Sequence, residues 1–494
     1  RQVFGVPGGG TSLDLMEAAR RRGLQTVVTA REDAAVIMAG VSGVLANHPG
    51  LAFSTKGPGL SSSANGLASA RLDRMPVLLA TETFAPGERD YVTHQVFDQS
   101  ALVTPLLHHG EADVLAPNVD SISNWLAATR VAQPGPAVMF PTARSLSAPV
   151  RPPTLVHRAR AAHDADAIAR ARQLLSASNK PLAIVGLEAA QASLGPSILA
   201  LLARYNMPAL TTYMACGTVP GDSPNCAGVF TGGALEQPLV HEADLIVFLG
   251  LDPVELIRKP WPYDAAVLDV CETEHKIHYV EPATRVLGGL RDSLSALTDE
   301  PRSTPVASAW TQDEVQAHRE QMRGALRIKT QAGLNSDQVV FAAAAALAPQ
   351  RRLAIDAGAH MFSASAFWPA MQARDILISN GLASMGFAIP AAIAAALHDP
   401  ERGAVAMTGD GGALMCLGEL KTAAQVRANL CIIIFNDGCL SLIDIKREER
   451  QMLDLGLTWE APDFAAIGAG FGLQSWRAET IDELGRCCAE AAKL

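Results

Sequence analysis

Short apolar segments alternate with helical stretches near the start of the chain. Residues 26–28, 51–53 and 77–80 have the composition of buried strands, and residues 32–45 have the pattern of a helix between two of them. Parallel strands need a crossover between them, and that crossover is usually a helix. The alternation therefore predicts βαβ units on a parallel sheet.

The same alternation occurs in two further regions. The predicted strands there are 182–185, 209–211 and 245–249, and then 353–355, 405–408 and 431–435. Residues 144–165 and 299–313 are rich in Pro, Arg, Ser or Thr and are interpreted as linkers. We therefore predict an α/β fold of three tandem doubly wound parallel-sheet domains, at 1–150, 166–300 and 330–494. This division suits a chain of 494 residues.

Charge and hydropathy exclude two classes of partner. The formal net charge is −10, and the longest basic run is only residues 20–22. Nucleic-acid binding needs clustered Lys and Arg, so no nucleic-acid partner is expected. No apolar run approaches the ~20 residues of a membrane span, and no charged segment precedes a signal-like apolar stretch. We expect no membrane association.

The eight cysteines do not indicate a metal site or a disulfide framework. They contain no CxxC pair and no Cys/His spacing that suits zinc. Reduced structural thiols are the expectation, and they favour a cytoplasmic location.

The strongest chemical signal is Gly409-Asp410-Gly411-Gly412, which follows a predicted strand and precedes a helix predicted over 413–426. Bare NH groups at a helix start can bind phosphate oxygens, and glycines allow close approach. The next strand ends at Asn436-Asp437-Gly438, which should lie beside the first. Asp410 and Asp437 would then face one Mg²⁺ ion, which prefers oxygen ligands. Alone, Gly-Asp-Gly is also a common turn.

A Gly-Asp-Gly motif followed after an interval by Asn-Asp resembles the signature of thiamine-diphosphate-dependent enzymes. That family includes acetolactate synthase, pyruvate decarboxylase, benzoylformate decarboxylase and benzaldehyde lyase. The resemblance covers essentially the whole chain in the same domain order: pyrimidine-binding, central and diphosphate-binding. It implies thiamine diphosphate and Mg²⁺ as cofactors.

The resemblance also implies which residues hold these cofactors. The side chains of Asp410 and Asp437 and the main-chain carbonyl of Cys439 would ligate the metal ion. The expected diphosphate site consists of Gly409, Gly411, Gly412, Ala359 and His360. Without the resemblance, His360 would be interpreted as a surface histidine or one with its hydrogen bonds satisfied.

A second segment, at 380–387, resembles the part of the family that wraps the thiamine. Met385 would be the bulky side chain that bends the cofactor, and the carbonyl of Ala383 would accept a hydrogen bond from its aminopyrimidine. The alternative for Met385 is ordinary core packing.

The first domain contributes the expected catalytic residues. Glu32 matches the glutamate that exchanges a proton with the pyrimidine ring, although an acid at a helix start is commonly only a cap. Gln95 aligns with a glutamine near the reaction centre of the acetolactate-synthase-like branch, and His94 beside it is a further candidate. The turn at 56–59 would line the same pocket or be only a tight turn.

Three positions bear on the reaction. Dedicated decarboxylases carry an acid or serine where this chain has Gly9, and a glutamate where it has Ile443. Acetolactate synthase proper has a tryptophan where this chain has Lys446. Lys446 would meet an anionic substrate or be a solvated lysine. We therefore expect a carboligase or lyase that takes a 2-oxo acid or 2-hydroxyketone and transfers its carbanion fragment to an acceptor.

Several alternatives remain open from the sequence. A simple 2-oxo acid decarboxylase, and a flavin enzyme resembling pyruvate oxidase with FAD in the central domain, keep the same fold. An NAD-dependent dehydrogenase is disfavoured because residues 5–10 do not match GxGxxG. A non-catalytic paralogue is disfavoured because Glu32, Asp410 and Asp437 are all present. The resemblance implies a homodimer or homotetramer with the cofactor at the subunit interface.

Overall fold

Three parallel sheets form the framework of the molecule. The computed structural model describes residues 1–85, 87–129, 133–146, 162–256, 260–275, 280–299, 308–327, 333–348 and 350–494. The sheets have six, six and four strands in chain order. The predicted α/β fold with three tandem parallel sheets is thus confirmed.

The first sheet has the strand order β2-β1-β3-β4-β6-β5. Its strands are β1 (Gln2–Val6), β2 (Gln25–Val28), β3 (Gly50–Ser54), β4 (Val77–Thr81), β5 (Val114–Leu115) and β6 (Pro136–Met139). Its helices are α1 (Thr11–Arg21), α2 (Glu32–Ala46), α3 (Pro58–Ser62), α4 (Ala64–Leu72), α5 (Gln99–Val103), α6 (Val119–Ala128) and α7 (Ala143–Leu146).

The central sheet has the order β12-β11-β10-β7-β8-β9. Its strands are β7 (Pro181–Val185), β8 (Ala209–Thr211), β9 (Cys226–Val229), β10 (Leu245–Leu249), β11 (Ala266–Cys271) and β12 (Thr284–Leu287). Its helices are α8 (Ala165–Ala177), α9 (Leu187–Gln191), α10 (Gly195–Arg204), α11 (Gln237–Glu242), α12 (Leu290–Thr298) and α13 (Gln312–Ala325).

The third sheet has the order β14-β13-β15-β16. Its strands are β13 (Arg352–Ile355), β14 (Ile376–Ile378), β15 (Ala404–Gly409) and β16 (Leu430–Phe435). Its helices are α14 (Ser336–Leu347), α15 (His360–Phe367), α16 (Ala388–His398), α17 (Asp410–Met415), α18 (Glu419–Val426), α19 (Ser441–Glu449), α20 (Phe464–Gly470) and α21 (Ile481–Ala491).

The central sheet shows why these strands are apolar throughout. Side chains alternate between the two faces of a strand. Leu182 and Ile184 of β7 pack in one buried cluster, while Ala183 and Val185 pack in another. Both faces are therefore covered, as expected for a doubly wound parallel sheet. The continuous apolar runs in the sequence follow from this double burial.

The described residues form two compact units. The first consists of the described residues within Arg1–Ala159, Ala354–Gly358 and Gly381–Arg477, and the second of those within Arg160–Leu353, Ala359–Asn380 and Ala478–Leu494. The predicted domain limits at 150, 166, 300 and 330 stay predictions. Of the two predicted linkers, residues 147–161 and 300–307 lie outside the described residues.

Among the helices of the described ranges, none is both long enough and apolar enough to cross a membrane.

Candidate active site

The Gly-Asp-Gly segment lies at the carboxyl end of β15. Gly409 has extended backbone, and the helix begins at Asp410 itself rather than at Ala413. The predicted single helix over 413–426 is wrong, because the chain forms two helices, α17 and α18. Gly418 stands at the start of α18, where a Cβ would lie 2.6 Å from the Cβ of Ala30. The helix break therefore brings the backbone close to the segment before Glu32.

The side chain of Asp410 holds two loops together. It is only 2% exposed. Its Oδ1 accepts a hydrogen bond from Gly411 N and its Oδ2 accepts one from Gly438 N, both at 2.8 Å. Burial, and after it the nearby charge of Asp437, raise the pKa of Asp410 above its usual range despite these hydrogen bonds. The structure thus brings the two predicted metal-binding segments together.

The loop after β16 presents the second carboxylate. Asp437 is exposed, and its Oδ1 accepts a hydrogen bond from Cys439 N at 3.2 Å while Ser441 donates to its Oδ2. Trp459 N donates to Gly438 O at 2.8 Å, and Cys439 forms an isolated antiparallel bridge with Thr458. The 457–459 segment therefore fixes the conformation of this loop.

Met385 and Ala383 lie in a loop rather than in a helix, just before α16 begins. Ala383 is exposed and has a φ of 55°, which is uncommon for a residue with a side chain. The methyl group of Met385 would lie 3.2 Å from a Cβ added at Gly411. Met385 therefore stands over the glycine segment, beside the predicted diphosphate site.

A buried carboxylate that the sequence analysis missed supports this loop. Asp356 is 1% exposed and accepts hydrogen bonds from the amides of Gly386, Phe387 and Ala388 and from the Thr408 hydroxyl, at 2.6–3.2 Å. A Cβ added at Gly412 would lie 2.2 Å from its Oδ2, so Gly412 is required by packing. Asp356 directly follows β13, and an acid at a strand end was the available signal.

Glu32 begins α2, as predicted, and is half-buried. The helix start has no side-chain cap, and the neighbouring Asp33 Oδ1 accepts a hydrogen bond from Ala34 N at 2.9 Å. The amides of Ala30 and Arg31, just before the helix, donate to Glu419 Oε1 at 3.0 and 3.1 Å. The fully buried Glu419, also missed from the sequence, thus positions the start of the helix that carries Glu32.

The turn at 56–59 lies against two of the three predicted catalytic residues, Glu32 and Gln95. A Cβ added at Gly57 would lie 2.7 Å from the Cβ of Gln95, and one at Gly59 would lie 3.3 Å from Glu32 Oε1. Gln95 is half-buried with a φ of 60°, whereas His94 is exposed. Glu32 and Gln95 therefore lie on either side of one turn. The role of His94 stays a prediction.

Ala359 and His360 belong to the second unit. His360 is 6% exposed and is the first residue of α15. Their predicted contact with the diphosphate stays a prediction.

The residues of the first unit fit the implied metal ion, whereas the predicted contact of Gly409, Gly411 and Gly412 with a diphosphate stays a prediction. Two neighbouring carboxylates and a main-chain carbonyl are the hard oxygen ligands that Mg²⁺ prefers. A cation would also compensate the charge of the buried Asp410. Met385 and Leu440 converge on Gly411, where a Cβ would lie 3.2 and 3.0 Å from their terminal carbon atoms. These two side chains fill the space beside Gly411, so a side chain at this position would displace them.

The positions that bear on the reaction are accessible. Ile443 is 49% exposed and lies on α19. Lys446 is also exposed on this helix, next to Arg447, which pairs with Asp444 at 2.6 Å. Gly9 is exposed, and a Cβ added there would meet nothing within 4 Å.

Family models match the chain in three parts. The thiamine pyrophosphate enzyme N-terminal TPP binding domain matches residues 1–102, the central domain of the same enzymes matches 168–297, and their C-terminal TPP binding domain matches 356–494. Together these ranges cover more than half of the chain, in the order of the three sheets.

Full-length relatives agree with this match. The chain is 26% identical to the acetolactate synthase of Bacillus subtilis, with 98% of this chain and 86% of that protein aligned. It is 27% identical to a probable 2-ketoarginine decarboxylase of Pseudomonas aeruginosa, over 98% and 88% of the two chains. It is 25% identical to the pyruvate oxidase of Lactiplantibacillus plantarum, over 98% and 82%. These relatives carry different activities at similar identity.

Proposed function

Because this chain belongs to the family of thiamine pyrophosphate enzymes, we propose that it is a carboligase or lyase acting beside the carbonyl of its substrate. The proposed donor is a 2-oxo acid or a 2-hydroxyketone, which loses carbon dioxide or an aldehyde. The remaining carbanion fragment of the donor is transferred to the carbonyl group of an acceptor.

The proposed roles follow from the placement of the residues. When bound, thiamine diphosphate supplies the nucleophilic carbon that this chemistry needs. Asp410, Asp437 and the carbonyl of Cys439 hold Mg²⁺. The Glu32 carboxyl group exchanges a proton with the pyrimidine ring, and Gln95 orients the substrate carbonyl.

The observation that carries the choice of carboligase is the bare backbone at Gly9. A simple decarboxylase must protonate the carbanion fragment before releasing an aldehyde, which needs an acid within hydrogen-bond reach. Gly9 has no side chain, and the nonpolar Ile443 occupies the second expected position. With fewer proton donors, the fragment persists until an acceptor arrives.

The test is binding followed by product analysis. Thiamine diphosphate with Mg²⁺ is titrated into the protein by calorimetry, and pyruvate is then supplied while carbon dioxide, acetolactate, acetoin and acetaldehyde are measured. We expect saturable binding and a carbon–carbon coupled product. Acetaldehyde as the only product would replace the carboligase with a decarboxylase, and absence of binding would overturn the cofactor assignment.

A flavin oxidase is the second candidate, and contacts in the central sheet argue against it. Dinucleotides bind at the carboxyl ends of parallel strands, with their diphosphate on helix-start amides. Leu187 N, at the start of α9, donates to Glu255 Oε2 at 2.8 Å, and Leu290 N, at the start of α12, donates to Glu272 Oε1 at 3.0 Å. The chain's own carboxyl groups thus occupy two amides that such a diphosphate would use.

The buried Glu255 also closes the space beside β7. A Cβ added at Gly186 would lie 2.7 Å from Glu255 Oε2. The Glu255 side chain is buried, and this burial raises its pKa to about 8. We expect protein purified without added cofactor, and protein incubated with FAD and desalted, to lack the visible absorption band of oxidised flavin. Retention of one flavin per chain, measured by that band, would instead support a flavin oxidase.

We further propose a homodimer or homotetramer in the cytoplasm, with the cofactor between subunits. The family membership supports this assembly. Light scattering that gave only a monomer in a catalytically active sample would contradict it.

A further inference from the structure

A buried glutamate lies beneath the glycine loop that follows β1. Glu82, directly after β4, has a side chain that is only 4% exposed. A Cβ added at Gly10 would lie 2.7 Å from its Oε2, and one at Gly8 would lie 3.3 Å from its Oε1. The loop therefore rests on this carboxylate, and a side chain at Gly10 would displace it.

Glu82 Oε1 binds the first of two loops. It accepts hydrogen bonds from the Ser12 hydroxyl at 2.8 Å and from Ser12 N at 3.3 Å. Gly8 N in turn donates to the Ser12 hydroxyl oxygen at 2.8 Å. The loop at 7–10 and the start of α1 are thus held by one oxygen of Glu82.

Glu82 Oε2 binds the second loop. Lys56 Nζ lies 2.8 Å from it, and the lysine side chain is 23% exposed. The Lys56 ammonium group also lies 5.0 Å from the centre of the Phe84 ring. Burial alone would raise the pKa of Glu82, but the hydrogen bonds from Lys56 and Ser12 outweigh it and the pKa is lowered. The ion pair is therefore formed at neutral pH.

The second loop is the turn that contacts the predicted catalytic residues. Lys56 is the first residue of this turn. Gly57, which follows it, packs on Gln95, and Gly59 packs beside Glu32. One buried carboxylate thus joins the glycine loop around Gly9 to the turn between Glu32 and Gln95. A displacement of about 1 Å in such a site costs on the order of 10²-fold in rate.

We propose that Glu82, through Lys56 and Ser12, is a positioning residue. It sets the distance between the glycine loop at 7–10 and the turn at 56–59, which form two sides of the reaction pocket. The inference rests on the proposed function for its catalytic consequence. The mechanical link between the loops does not depend on that function. A buried pair of this kind is weak as a stabilising device, because desolvation offsets much of its attraction, which favours a role in specifying geometry.

The first test measures the link itself. Hydrogen–deuterium exchange is compared for the parent, Glu82→Gln and Lys56→Met. In Glu82→Gln the remaining oxygen would accept from Ser12 without a negative charge, and the NH2 group would face Lys56. Amides at 8–12 and 56–60 should both exchange about 10- to 100-fold faster, the factor that loss of a charge-assisted hydrogen bond implies. In Lys56→Met only the 56–60 segment should change. Unchanged exchange in either loop of Glu82→Gln would overturn the proposal.

A matched control comes from the second unit. Lys180 Nζ forms an ion pair with Glu242 at 2.7 Å, and its side chain is 24% exposed, close to the exposure of Lys56. Lys180→Met should leave exchange in both loops at the parent level. Acceleration there by Lys180→Met would mean that any lost lysine pair loosens the protein, and the specific link would be rejected.

The second test measures the consequence in the enzyme loaded with thiamine diphosphate and Mg²⁺. The ratio of coupled product to free aldehyde is independent of how much protein is folded. It should fall in Glu82→Gln and Lys56→Met, with kcat about 10- to 100-fold lower. The double variant should be no worse than the poorer single one.

The two levels of failure are separable. Loops that loosen while the product ratio and kcat stay at parent values would overturn the positioning role. A parent enzyme without any thiamine-dependent turnover would instead sink the proposed function, and the exchange result would still decide whether Glu82 links the loops.

Discussion

The Glu32→Gln variant is expected to bind thiamine diphosphate and Mg²⁺ like the parent but to lose about 10²- to 10⁴-fold in kcat. Glutamine has nearly the same shape as glutamate, so the packing beside Gly59 should persist. It cannot exchange a proton with the pyrimidine ring. Steady-state kinetics at saturating cofactor, with calorimetric binding, separates this loss from weaker binding.

Asp33→Asn is the matched control for Glu32→Gln. Asp33 stands at the same helix start, accepts the Ala34 amide and pairs with Arg31 at 3.1 Å. If Glu32 acts only as part of a helix start, both variants should lose similar activity and stability. A Glu32→Gln enzyme with parent kcat would remove Glu32 from the mechanism altogether.

Asp410→Ala is expected to weaken Mg²⁺-dependent binding of thiamine diphosphate by more than about 100-fold. Loss of a residue that only hydrogen-bonds to a metal ligand costs about 10- to 100-fold in affinity, and loss of a ligand should cost more. The variant loses the proposed charged oxygen ligand of Mg²⁺ and also the acceptor for Gly411 N and Gly438 N. Asp410→Asn removes the charge but keeps one acceptor oxygen for the two backbone amides, so the comparison of the two variants separates the loss of charge from the loss of both acceptors. Calorimetric titrations with and without Mg²⁺ measure both.

The control for the two Asp410 variants is Asp375, a buried aspartate outside the Gly-Asp-Gly and Asn-Asp motifs. Asp375 is also 2% exposed and accepts hydrogen bonds from the amides of Met371 and Gln372 at 2.9 and 3.0 Å. Asp375→Asn should lower thermal stability without changing the Mg²⁺ dependence of cofactor binding. Parent-like binding by a folded Asp410→Asn would show that Asp410 is a structural acceptor only.

The sequence predicted those parts of the site that depend on neighbouring strands. β15 and β16 pair in parallel, so their carboxyl ends coincide and Asp410 meets the Asp437 loop. The start of α2 at Glu32 was equally predictable from the strand before it. The local sequence pattern and the parallel topology together were sufficient to predict where these residues lie.

The supporting carboxylates were not predicted, because their partners are distant in sequence. Glu82 binds Ser12, and Glu419 binds the amides of Ala30 and Arg31. A single sequence shows an acid after a strand or in a helix but does not show which distant amide it meets. The break between α17 and α18 was missed for the same reason, because close packing at Gly418 is a tertiary effect.

The three glycines at 8–10 differ in what constrains them. Gly8 and Gly10 are enclosed by Thr55 and Glu82, whereas a side chain at Gly9 would project into open space without backbone strain. Packing therefore does not explain glycine at this position, and the fold would accept an acid or a hydroxyl there. Under the proposed function, a single substitution at Gly9 could therefore change the type of reaction at little cost in stability.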